Sequence, residues 1–367
     1  MTVATRARPV WSGRGSGSAR TLSAVSSSSR WRLSPERYRS ICVFALVLLG
    51  VIVVSGAGVR LTGSGLGCDD WPNCNNEKLI DVSSTHAAIE QINRLFTGLV
   101  AFGVVLAVLG SVRRTPRRRD LTWWSWGLVA GVIAQVILGG ITVLVDLHPA
   151  AVQAHFLLSM VLIANAVVLV YRAGLPTRER VRRVVPEVRR DVWAVVVATS
   201  VAIVLGTVVT GSGPHAGDEE ARRFGFDIGR AVQLHSVAVW VTVALVVGLM
   251  WRLRTRPVER AVLEGPLVAW ICLGVLQGGV GYLQYFTGIP AALVAVHIAL
   301  ATVLWGITVW MVEVMSTSVA VEASATEHAG PVGSASADER LDELGRLVDD
   351  RAEETADFAD EVAERSS

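Results

Sequence analysis

Three histidines and one carboxylate stand inside long apolar runs: His155, His235, His297 and Glu90. Such groups are costly at membrane depth and usually serve a function there. Each histidine follows the start of its run by only a few residues, so the three lie at similar depth. Two histidines on facing helices of a bundle can hold a heme iron from both axial sides, and His235 and His297 are placed for that. No Cys-x-x-Cys-His motif occurs, which excludes covalent heme attachment of that type. Zinc would call for a third and fourth ligand clustered with them. Glu90 could act as an acid, a base or a charge stabiliser. Its other reading is structural, as an ion-pair partner of Arg94.

The elements that must position these residues are eight apolar segments, near 41–59, 89–111, 121–145, 151–171, 192–210, 231–251, 265–287 and 291–312. Each runs about 18–25 residues, enough to cross a bilayer as a helix. Transmembrane β-strands would be shorter and alternating. The expected fold is an all-α integral membrane protein with eight transmembrane helices in two tandem four-helix bundles. Arginines crowd residues 1–39, 113–119, 172–190 and 252–260, while the intervening loops carry few. The positive-inside rule then places both termini in the cytoplasm, on the inner face of a cell membrane.

Composition agrees: 51% of the chain is hydrophobic and 18% charged, which argues against several soluble domains and against disorder throughout. Four cysteines are too few for a disulfide scaffold. The net charge of +2 conceals segregation, with a basic head before Ile41 and an acidic tail after Glu313. The head, residues 1–40, reads as a disordered basic cytoplasmic extension near anionic lipid. The tail, residues 313–367, reads as a solubilising segment, and Leu341, Leu344, Leu347 and Val348 recur there at helical spacing.

The body reads as a duplication. Thr62-Gly63-Ser64-Gly65 follows the first span and Thr210-Gly211-Ser212-Gly213 the fifth. Gly139-Gly140 precedes His155, and Gly278-Gly279 precedes His297. Each copy has an even number of spans, so both face the same way. The boundaries are 41–171 for the first half, 172–191 for a cytoplasmic linker and 192–312 for the second half. The halves are unequal: Asn93 matches His235, and Glu90 matches Val232. The second half offers two ligands and no acid. The first offers one clear ligand, one weak one and a carboxylate. This suggests a six-coordinate heme for electron transfer in the second half and a reactive centre in the first.

At these residues the chain resembles the heme A synthase family over about residues 40–312. The resemblance rests on Gly58-Val59-Arg60-Leu61-Thr62-Gly63-Ser64-Gly65-Leu66-Gly67-Cys68, on Asp70-Trp71-Pro72-Asn73-Cys74, on Glu90-Gln91-Ile92-Asn93-Arg94, and on the stretch from Thr210 to Asp218. It implies oxidation of the C8 methyl of heme O to the formyl group of heme A, for terminal oxidase biogenesis. It implies heme b as cofactor on His235 and His297, and a substrate heme in the first half with His155 as ligand and Glu90 as the essential acid. The partners implied are heme O, an electron donor such as a ferredoxin, heme O synthase and the lipid bilayer, with no nucleic acid.

Many members carry histidine where this chain has Asn93. Single ligation by His155 is the favoured reading, with His86, one helical turn before Glu90, as a substitute ligand and His148 a weaker one. Cys68 and Cys74 lie in the first outer loop, as a disulfide or as two thiols, and the resemblance favours the bond. Cys42 and Cys272 read as packing residues. Arg60, Arg94 and Arg230 stand where heme propionates could be paired. His215 could cap its loop by hydrogen bonding or shuttle protons, and the structural role is the favoured reading. The competing function is a non-catalytic transmembrane heme carrier or electron-transfer protein, which would not need Glu90. A secondary transporter would explain the repeat alone.

Overall fold

A computed structural model describes residues 32–176 and 180–317, and these described residues form eight helices and a ribbon of two two-residue strands. Most of the basic head and the acidic tail, including the helical spacing around Leu341, lie outside the described residues. The helices are α1 (Pro35–Leu61), α2 (Thr85–Arg113), α3 (Arg119–Leu144), α4 (Pro149–Ala173), α5 (Pro186–Ser212), α6 (Ile228–Leu253), α7 (Pro257–Phe286) and α8 (Ala291–Val314). All eight are long and apolar enough to cross a membrane, so the chain is a multi-pass membrane protein. Exposed side chains off the cavities, such as Val47, Val105, Ile133, Val197 and Val303, give these helices the apolar outer surface that hydrocarbon requires.

The helix starts are written locally. Proline opens α1, α4, α5 and α7, where its missing N–H costs nothing. Ser34, Ser84 and Asp227 cap α1, α2 and α6 through their side-chain oxygens. Helix α7 begins eight residues before the apolar run at 265, because Pro257 starts it in a charged turn that hydropathy does not register. The antiparallel ribbon pairs β1 (Val181–Arg182) with β2 (Ser316–Thr317) and ties the inter-half linker to the end of α8.

The halves meet along α4 and α8, with α1 packed on α8 and α5 on α4. This pattern fits two copies related about an axis along the membrane normal. Trp305 Nε1 of α8 donates to the Met160 carbonyl of α4 at 2.8 Å. At the arginine-rich end, buried Glu313 of α8 receives Arg172 of α4 and Arg180 of the linker, at 3.1 and 3.2 Å. At the other end Arg60 donates to the Thr210 carbonyl at 2.7 Å, and the Gly65 N–H to the Gly217 carbonyl at 2.8 Å. Helix α2 packs on α3, whereas α6 and α7 barely touch.

The repeat register is an offset of 142 residues over α2–α4 and α6–α8, set by His155 and His297. Gln135 and Gln277 both donate to the carbonyl of their half's histidine, each at 3.1 Å. The α3–α4 and α7–α8 turns both run through left-handed backbone, at Asp146 and Leu147 (φ 52° and 53°) and at Gly288 and Ile289 (φ 80° and 60°). This register corrects the pairing of the glycines. Gly139 corresponds to Gly281, and a Cβ at either would lie 3.2 Å from the Cε1 of His155 or His297. Gly278 and Gly279 have nothing described within 4 Å. The Gly-Gly dipeptides are displaced by nearly one helical turn, which keeps them on a similar face and makes them look equivalent.

Candidate functional site

A cavity of about 1530 Å³ opens between the helices, lined from the first half by Glu90, Asn93, Arg94 and His155 and from the second by His235 and His297. Ordinary small-molecule sites are smaller, at roughly 300–1000 Å³. The lining is mainly apolar, with the polar groups few and placed.

In the second half the His235 and His297 rings face each other with centroids 6.5 Å apart and planes at 74°. Two metal–nitrogen bonds of roughly 2.0 Å, with about 1.2 Å from each nitrogen to its ring centre, give about 6.4 Å. The spacing therefore suits one metal atom between two imidazoles. His235 Nδ1 donates to the Ala202 carbonyl at 2.9 Å, which leaves the Nε2 lone pair for a metal. His297 Nδ1 and Gln277 Oε1 are buried without a partner, as are His155 Nδ1 and Gln135 Oε1. Orphaned buried polar atoms call for an explanation. Their recurrence in both halves, beside a histidine that lines the cavity, fits a site built for a bound group. Among the described residues no three His, Cys, Asp or Glu side chains gather into a metal cage. A porphyrin needs only axial ligands, so the donor set matches a heme rather than a bare ion.

The first half keeps His155 and has Asn93 at the register position of His235, both lining the cavity. Ser55 of α1 donates to Asn93 Oδ1 at 2.8 Å. Glu90, only 6% exposed, stands one turn before Arg94, and both its oxygens are engaged. The Cys68 N–H donates to Oε2 at 2.8 Å, and Arg94 donates to Oε1 through Nε at 3.0 Å and Nη2 at 2.7 Å. Arg94 also donates to the carbonyls of Asp70 and Asn73. The loop bearing these groups is closed by a Cys68–Cys74 disulfide, Cα–Cα 4.4 Å. Gly67 lets it lie against α2, because a side chain there would collide with the His86 carbonyl.

The other candidates are placed as follows. His86 shares a 2.9 Å hydrogen bond with Ser64 and is absent from the cavity lining. His148 accepts from the Ala150 N–H at 3.3 Å and caps α4. His215 Nε2 donates to the Ile289 carbonyl at 2.9 Å, closing the left-handed turn, while its ring lines the cavity. Arg60 lines the cavity with its Nε buried and unpartnered, whereas Arg230 is exposed and lies off the lining. Cys42 is buried in packing, but Cys272 is exposed on α7. Sequence reasoning missed Gln135, Gln277 and Ser55. The two glutamines were discoverable, since each precedes its half's histidine by the same interval.

Fold and site thus define a membrane protein of two four-helix halves around a histidine-lined cavity. The chain matches the cytochrome oxidase assembly protein family over residues 39–90 and 79–309, and it belongs to that family. It is 23% identical over 296 residues to a heme A synthase of Listeria welshimeri, covering 75% of this chain and 94% of that protein. It is 24% identical over 303 residues to a heme A synthase of Bacillus mycoides, covering 78% and 96%. With one from Lysinibacillus sphaericus it shares 29% identity over 128 residues, 35% of this chain and 42% of that protein.

Proposed function

We propose that the chain is a membrane oxidoreductase that oxidises the C8 methyl of heme O to the formyl group of heme A. The observation that carries this reading is the inequality of the halves around one cavity. Two histidines stand at single-metal spacing in residues 192–312. One histidine with a buried carboxylate stands in residues 41–171. In this reading His235 and His297 hold heme b, which supplies one-electron transfer when bound. His155 binds the iron of heme O. Arg60, with its buried and unpartnered Nε, pairs a propionate. Glu90 holds negative charge, or a proton, at the reacting edge, and Arg94 and the Cys68 N–H fix its direction. A ferredoxin-like donor supplies electrons, heme O synthase delivers the substrate, and both termini face the cytoplasm.

The experiment supplies heme O to membranes containing the full chain, with oxygen and a competent electron donor, and separates the extracted hemes by chromatography and mass. Heme A should form. Glu90→Gln should abolish it while the low-spin heme b spectrum survives. No oxidised heme from the wild type would sink the reading.

One observation favours the alternative of a non-catalytic heme carrier or electron-transfer protein: both Glu90 oxygens are already bonded within the protein. In that case Glu90→Gln would loosen the loop and change no product.

A further inference from the structure

In the repeat register Asn93 stands where His235 stands, and its surroundings differ with it. His235 hydrogen-bonds a main-chain carbonyl of α5 and uses its free nitrogen toward the cavity. Asn93 instead takes the Ser55 hydroxyl on its Oδ1. That bond turns the amide oxygen toward α1 and leaves the NH2 group, which has no partner among the described residues, on a side chain that lines the cavity. The space differs too. A Cβ at Gly206 would lie 3.2 Å from the His235 ring. On α1, Gly56, one residue past Ser55, lines the cavity and has nothing described within 4 Å. The room that an imidazole fills in the second half is cavity in the first.

We infer that Asn93 is the hydrogen-bond donor of a small-ligand subsite on the substrate iron, on the side opposite His155, and is not itself an iron ligand. The inference rests on the reading of the first half as the substrate-heme site. An amide nitrogen bears no available lone pair, so Asn93 cannot replace an imidazole, but its N–H groups can point at an acceptor atom. The donors and steric access of the pocket above a heme iron decide whether small molecules bind there. The ligand class is a neutral molecule of two or three atoms, such as dioxygen, carbon monoxide or water. The Glu90 carboxylate one turn away is neutralised by its ion pair with Arg94, so the pair sets no net charge beside Asn93 that would call for an ion.

The test uses the full-length protein loaded with heme O, reduced, with carbon monoxide as the probe. The second-half low-spin spectrum serves as the folding control in every variant. Wild type should bind one carbon monoxide per chain. Asn93→Leu should keep that binding, raise the C–O stretching frequency and release the ligand several-fold faster, because the donor is gone. Asn93→His should give a second six-coordinate low-spin heme and lose carbon monoxide binding. Wild type that takes up heme O and binds no carbon monoxide would overturn the inference alone. So would an unchanged stretch in Asn93→Leu, or full binding in Asn93→His. A first half that takes up no heme O beside a normal second-half spectrum would overturn the proposed function and this inference together.

Discussion

The Cys68 N–H donates to Glu90 Oε2 at 2.8 Å, so the buried carboxylate and the disulfide loop form one unit. Arg94 completes it, bridging Glu90 to the carbonyls of Asp70 and Asn73. The direction of the carboxylate therefore depends on the loop being closed.

Opening the loop tests that dependence. Cys68→Ser, Cys74→Ser or reduction should lower the melting temperature of the detergent-solubilised protein. The chain-entropy account puts the loss at about 2 kcal/mol for a loop this short. Heme A yield should fall in parallel, with the second-half spectrum intact. A yield that survives reduction would show that Glu90 keeps its orientation without the loop.

Arg94→Ala leaves Glu90 buried and short of its cation. Destabilisation of about 2 kcal/mol is expected, since the lost hydrogen bonds are charge-assisted and half of the pair is partly exposed. Arg94→Lys should recover little, because a single ammonium cannot serve Glu90 and two loop carbonyls as the guanidinium fork does. Thermal melts of the three proteins decide this.

The glycines behind the histidines give a register test. Gly281→Val and Gly206→Val should displace the His297 and His235 rings and broaden or remove the low-spin heme spectrum, since even a Cβ would approach each ring to 3.2 Å. Gly278→Ala and Gly279→Ala approach no ring but line the cavity, so their effect should appear in heme uptake and not as displacement of His297. Equal displacement of His297 by the Gly278, Gly279 and Gly281 substitutions would contradict the 142-residue register, in which Gly281 answers to Gly139.

Glu313→Ala would leave Arg172 and Arg180 facing each other at the junction of the halves. A stability loss of roughly 3 kcal/mol is expected for removal of a buried carboxylate from its two partners. The heme spectrum of the protein that remains folded should be unaltered. A selective loss of heme at unchanged melting temperature would mean that the cluster serves the cavity rather than the junction.

The eight helices were legible because crossing hydrocarbon forces about twenty apolar residues in a row, and any such run declares itself. The histidines and Glu90 were legible for the converse reason, that polarity inside such runs is expensive. The pairing of Glu90 with Arg94 was visible as an alternative from their spacing, but the Cys68 N–H was not. A backbone donor has no letter in a sequence, and the loop's path depends on Gly67 meeting α2. Ser55 and the glutamines were missed because uncharged polar residues occur in membrane helices for many packing reasons. The glycine register failed at the dipeptide level, since glycine pairs are common and only contact with a ring tells them apart.

The turns before α4 and α8 hold Leu147 and Ile289 in left-handed backbone, a conformation that β-branched and bulky residues rarely adopt. Residues beside them have drifted: Asp146 in one copy is Gly288 in the other, and His148 is Pro290. Only the uncomfortable geometry is common to both. A costly shape found twice, with different side chains around it, is a trace of ancestry that a comparison of letters would miss. The fold preserves its own history in the torsions of two short turns.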